Sequence, residues 1–127
     1  MAKVKMVCFD MDGTIADLYG VNGWLEMLRE ENARPYEIAK PMWNMNELNE
    51  VLRELQKQGV EIRVITWLSM NSSEDYKEKT RQAKLQWLEK QGFPFNKFHG
   101  VAYGTTKANS IRKYLDLGEQ AILIDDN

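Results

Sequence analysis

Near the start of the chain, the run Val4-Lys5-Met6-Val7-Cys8-Phe9 breaks abruptly into Asp10-Met11-Asp12-Gly13-Thr14. Apart from one lysine, the first six residues are apolar and mostly strand formers, which predicts a buried strand. Asp10 and Asp12 stand at alternate positions at its end, and residues two apart on a strand share a side. Gly13 lets the backbone turn sharply away. Two carboxylates at about 4 Å, in a medium of effective dielectric about 20, repel by about 4 kcal/mol. A proton on one of them relieves this, and so does a divalent cation, for which carboxylate oxygens are hard ligands of the kind Mg²⁺ takes. A plain Asp-Gly turn is the simpler alternative for the same residues.

Beyond Thr14 the chain alternates helical and strand patterns. Asn22 and Gly23 can open a short helix carrying Trp24, Leu25, Met27 and Leu28 and ending near Asn32. Ala33 to Trp43 contains Pro35 and Pro41 and reads as a loop or an interrupted turn. Asn44 followed by Glu47 is a capping-box start for a helix whose stripe is Met45, Leu48, Val51, Leu52 and Leu55, stopped by Gly59. Val60 to Ile65 alternates apolar and charged residues, which suggests a strand near a sheet edge or partly covered, with Thr66 at its end. Leu68 to Ser73 reads as a polar loop, and Ser73 caps a long helix through Gln91 with Tyr76, Ala83, Trp87 and Leu88 inward. Phe98 to Tyr103 is a third, weaker strand. Thr105 or Thr106 caps a helix from Lys107 to about Leu115, with Ala108, Ile111 and Leu115 inward. Ala121 to Ile124 is a last apolar run, ending in Asp125-Asp126-Asn127.

Strand, helix, strand, helix, strand, helix, strand is the pattern of an α/β protein with a central parallel sheet and helical crossovers. Open sheets of this kind bind ligands beyond the carboxyl ends of their strands. Asp10, Thr66 and Asp125 are all expected at such ends, so topology should gather residues distant in sequence onto one rim. With 127 residues the chain is expected to be a single domain, 1–127. Its net charge of −2 gives no electrostatic case for a nucleic-acid patch or a membrane surface. No apolar run approaches a membrane span, and no leader is expected before the first strand. The single cysteine, Cys8, precludes an intrachain disulfide and reads as a small core residue; a reducing cytoplasm is the expected location. His99, the lone histidine, reads as structural.

The segment Phe9-Asp10-Met11-Asp12-Gly13-Thr14 resembles the first signature of the haloacid dehalogenase (HAD) superfamily. Ile65-Thr66, Lys107 and Ile124-Asp125-Asp126 resemble its second, third and fourth, in order. The resemblance implies a Rossmann-like three-layer α/β/α fold and a Mg²⁺-dependent phosphatase acting through an aspartyl-phosphate. In it Asp10 is the nucleophile and Asp12 the general acid and base. Thr66 and Lys107 bind phosphate, with Lys113 a rival for the lysine. Asp10, Asp12 (through its main-chain carbonyl), Asp125 and Asp126 hold the metal. Asp12 points to phosphoryl transfer, because the superfamily's dehalogenases lack that acid. The interval 15–43, where relatives insert a lid, has room only for a minimal cap, a small helical flap. The expected substrate is a small phosphate ester, a nucleoside monophosphate or another phosphorylated metabolite. A second copy of the chain could close so lightly covered a site, and Trp67, Tyr19, Trp24 or Trp43 could line its mouth. The alternatives are a phosphotransferase, or a catalytically inactive regulatory module that binds phosphate and Mg²⁺.

Overall fold

The computed structural model describes residues 3–68 and 72–125. Four strands, β1 (Lys3–Phe9), β4 (Glu61–Leu68), β5 (Lys97–Ala102) and β6 (Glu119–Ile124), form a parallel sheet in the order β5-β4-β1-β6. The crossovers are α3 (Met45–Lys57), α4 (Glu74–Lys90) and α5 (Lys107–Arg112). Between β1 and α3 lies a small subassembly: β2 (Ala16–Asp17), a 3-10 turn, α1 (Trp24–Arg29), α2 (Arg34–Ile38) and β3 (Lys40–Pro41), with β2 and β3 antiparallel.

Alternation along the strands divides the core in two. Val7 and Phe9 of β1 and Ile62 and Val64 of β4 face one way, packing with Leu52 of α3, Trp87 and Leu88 of α4, and Met11, Ile15 and Ala39 of the subassembly. Met6, Cys8 and Ile65 face the other way, onto Ile111 of α5. Cys8 is fully buried, and burial pushes its thiol up to about 11, so it is an inert core residue. The helices start where side chains satisfy their first N–H groups. Asn44 accepts from Glu47 N at 3.3 Å, and Ser73 Oγ accepts from Tyr76 N at 3.1 Å.

Several sequence expectations are corrected. β4 is interior, between β5 and β1, not at an edge. Its charged residues misled because Arg63 is buried with compensation: Nη2 lies 2.8 Å from Glu61 Oε2, and the guanidinium stacks 4.6 Å from the Tyr114 ring. Ala33 to Trp43 is not all loop, because α2 begins with Pro35 in its first turn, where proline's missing N–H costs nothing. Asn32 Oδ1 accepts from Arg34 N at 3.0 Å just before it. The last helix stops at Arg112, short of Leu115, and Ala108 is exposed while Lys107 is buried. The strand expected to end at Ile65 and Thr66 runs on through Leu68, and the loop expected over Leu68 to Ser73 otherwise lies in part outside the described residues.

The sheet order places its switch between β1 and β6. The chain leaves β1 toward β4 and β5, then returns to pair β6 on β1's other side. Asp10 and Asp125 come directly after these two strands, and Asp10 N donates to Ile124 O at 2.9 Å. The crevice that such folds use for ligands is therefore bounded by two carboxylates.

His99 of β5 lies 3.3 Å from Arg63 Nη1 and 5.1 Å from the Tyr114 ring. Burial first, then the Arg63 charge, lowers its pKa below the ordinary 6.5. Unfolded chains therefore bind its proton more readily than folded ones. Stability should fall as pH drops through about 6.5, and His99→Gln should remove that part of the slope. Urea midpoints of both proteins at about pH 8 and about pH 5.5 measure it.

Candidate active site

Asp10 is 5% exposed at the end of β1. Its Oδ1 accepts from Lys107 Nζ at 2.9 Å, and its Oδ2 is reached at 3.4 Å by Thr14 Oγ1. Burial raises the Asp10 carboxyl to about 6, against the pull of Lys107, and the charges of Asp125 and Asp12 add to the rise. Lys107, the first residue of α5, also lies 3.4 Å from Asp125 Oδ2. One ammonium thus joins the carboxylates that end β1 and β6. Lys113, the rival lysine, is exposed, with Nζ 5.3 Å from the Tyr114 ring. Asp126 lies outside the described residues.

Asp12 stands one further alternation beyond the strand and has a different partner. Its Oδ2 accepts from Lys84 Nζ at 2.9 Å, while its Oδ1 is buried with no hydrogen-bond partner among the described residues. The same Lys84 Nζ donates to Thr66 Oγ1 at 2.8 Å and to the Trp67 carbonyl at 3.1 Å. Thr66 itself is 1% exposed at the carboxyl end of β4. The structure therefore brings together Asp10, Asp12, Thr66, Lys107 and Asp125.

Lys84 joins them unexpectedly. The signal was present in the sequence: Lys84 sits on the buried stripe of α4, four residues from Thr80 and from Leu88 and beside Ala83. A lysine on a buried stripe needs a buried anion, and Asp12 is that anion.

The mouth of the site is partly aromatic. Trp67 donates its indole N–H to Thr105 O at 2.8 Å, lies 4.2 Å beneath Lys107 Nζ, and packs against the exposed Tyr103. On the subassembly side, Tyr36 of α2 lies 4.8 Å from Lys84 Nζ; burial first, then the Asp12 charge, raises its phenol well above the usual range. Two indoles fasten this flap: Trp43 donates to Thr14 O and Trp87 to Ala39 O, each at 2.7 Å. Glu31, at the left-handed end of α1 with φ 55°, accepts from both the backbone N–H and the hydroxyl of Ser73, at the start of α4. Tyr19 and Trp24 contact each other edge-on within the flap.

Breaking a buried ion pair from one side leaves the other charge uncompensated. Lys107→Met should destabilise the fold by about 3–5 kcal/mol, whereas Lys113→Met should stay within about 0.5 kcal/mol. Urea unfolding of the two variants beside the parent distinguishes a buried ammonium from a solvated one.

No protein-family model matches the chain, and no curated protein matches it. Among solved structures, the chain is similar to one chain of the Pnkp1/Rnl/Hen1 complex, with a TM-score of 0.51 and 17% sequence identity. The alignment covers 95% of this chain and 37% of that one, so this chain spans little more than a third of its neighbour's length. At that identity the likeness is one of fold: a parallel sheet with helices on both faces.

Proposed function

We propose that the chain is a phosphatase of the HAD type, hydrolysing a small phosphate monoester through an aspartyl-phosphate. The observation that carries the proposal is the meeting of Asp10, Asp12, Thr66, Lys107 and Asp125 at the carboxyl rim of one parallel sheet. In the first step a carboxylate oxygen of Asp10 attacks phosphorus, and the bond from phosphorus to the ester oxygen breaks. Asp12 gives its proton to that leaving oxygen. In the second step Asp12 takes a proton from water, whose oxygen attacks phosphorus and releases Asp10 with inorganic phosphate. The Lys107 ammonium, 2.9 Å from Oδ1, favours the ionised form of Asp10, the form a nucleophile needs. The Lys107 ammonium offsets negative charge as the dianion approaches, and the Thr66 hydroxyl has a hydrogen to give a phosphate oxygen.

The donors at this rim suit Mg²⁺. Asp10 stays raised in spite of Lys107 because it is buried and carboxylates crowd it, and a hard dication among oxygens is the direct remedy. Among the described residues no group of three His, Cys, Asp or Glu side chains is placed to hold a metal by itself. The proposed ligands are therefore the side chains of Asp10 and Asp125, the main-chain carbonyl of Asp12, and Asp126. The Asp12 side chain is engaged by Lys84, which fits a carbonyl role for this residue at the metal. When bound, the ion would neutralise charge between these carboxylates and the phosphoryl group.

The substrate is proposed to be a small phosphorylated metabolite, with nucleoside monophosphates the first class to screen. The chain should hydrolyse a generic aryl phosphate with Mg²⁺ and lose that activity in chelator. Asp10→Asn should lower kcat by about three orders of magnitude or more. Activity untouched by both the chelator and the substitution would contradict the proposal.

A further inference from the structure

The charged group most deeply enclosed in this site is not one that touches the reacting atoms. Lys84 is 0% exposed, in the middle of α4. An ammonium has three N–H donors. Here they have three acceptors: Asp12 Oδ2 at 2.9 Å, Thr66 Oγ1 at 2.8 Å and the Trp67 carbonyl at 3.1 Å. No donor is left over for a substrate. Lys107 has two carboxylate acceptors among the described residues, Asp10 and Asp125, and so retains donor capacity.

We infer that Lys84 is a positioning residue that sets the hydrogen-bond polarity of both Asp12 and Thr66. This rests on the phosphatase proposal and adds a residue to it. With Asp12 Oδ2 occupied, Oδ1 is the oxygen that exchanges a proton with the leaving group, and it is the one buried without a partner among the described residues. A buried acceptor in that condition calls for a donor that the described residues do not supply, a water or a substrate group among them. With Thr66 Oγ1 accepting from Lys84, the hydroxyl hydrogen is turned away from the ammonium, where it can be donated to a phosphate oxygen. The bond to the Trp67 carbonyl ties the same ammonium to the end of β4. One cation therefore coordinates the proton-transfer group after β1 with the phosphate-binding group on β4. It does so from a helix that Trp87 and Leu88, among its other inward residues, fix in the core. Tyr36 of the flap closes over it at 4.8 Å.

A residue that merely supports the fold would affect all substrates alike. A residue that orients the proton donor matters most when the leaving oxygen needs the proton. The experiment compares Lys84→Met with the parent on two esters: an alkyl phosphate, whose alkoxide leaves poorly, and p-nitrophenyl phosphate, whose phenolate leaves readily. The expected result is a fall in kcat/KM of about 100-fold for the alkyl ester and about 10-fold or less for the aryl ester. Equal losses on both esters would overturn the inference while leaving the phosphatase proposal intact. A parent chain that turns over neither ester would overturn both. Since Lys84→Met strands a buried carboxylate, a second measurement uses the parent protein alone. In a crystal structure with orthovanadate bound, Lys84 should keep its three acceptors and make no contact with the oxyanion, while Thr66 Oγ1 touches it. A direct bond from Lys84 to vanadate would overturn the inference.

Discussion

Carboxylates buried at the rim of a parallel sheet are tolerable only if each finds a cation, and here two lysines meet that demand from opposite faces of the sheet. Lys84 reaches Asp12 from α4, on the face that buries Phe9 and Val64. Lys107 reaches Asp10 and Asp125 from the start of α5, whose Ile111 packs on the face that buries Met6 and Cys8. Desolvating an unpaired carboxylate costs several kcal/mol, so the fold and the site are not separable. The pairs that make Asp10 and Asp12 tolerable also fix where they stand. Compensation is nonetheless incomplete, since Asp10 remains raised to about 6 with Lys107 beside it. Burial is the first cause of that rise and the neighbouring carboxylates a smaller one, and it is the latter that the proposed dication would offset.

The remaining architecture serves this rim. Parallel pairing sets Phe9, at the end of β1, beside Val64 of β4 and Ile124 at the end of β6, and the switch in strand order opens a crevice at Asp10 and Asp125. Hydrogen bonds secure the flap to the body: Trp43 to Thr14, Trp87 to Ala39, and Ser73 to Glu31. Glu31 occupies a left-handed backbone region that disfavours residues with a side chain, and its bonds to Ser73 at the start of α4 offset that strain. Tyr36 is delivered in this way against Lys84 and Asp12.

Much of this could be read from the residues in order. The strand ending in Asp10, the capped helices at Asn44 and Ser73, and the proximity of Asp10 to Asp125 all came from local pattern plus parallel topology. Two of the misreadings share one cause: a charged or proline residue reads by its type rather than by its partner. Arg63 suggested an edge strand, yet Glu61 and Tyr114 let it sit inside. Pro35 suggested a loop, yet the first turn of a helix has no use for the missing N–H. No motif in the sequence marks Lys84 for its role, because the sequence does not display which anion faces a given turn. Its spacing from Thr80 and Leu88 was the available hint.

The chemical proposal is tested at the atoms themselves. The most direct measurement is a crystal structure of the protein grown with Mg²⁺ and beryllium fluoride, a phosphoryl mimic. The account predicts the mimic attached to an Asp10 oxygen, and one Mg²⁺ ligated by both Asp10 and Asp125. A mimic bound elsewhere, or a cation that engages neither carboxylate, would contradict it.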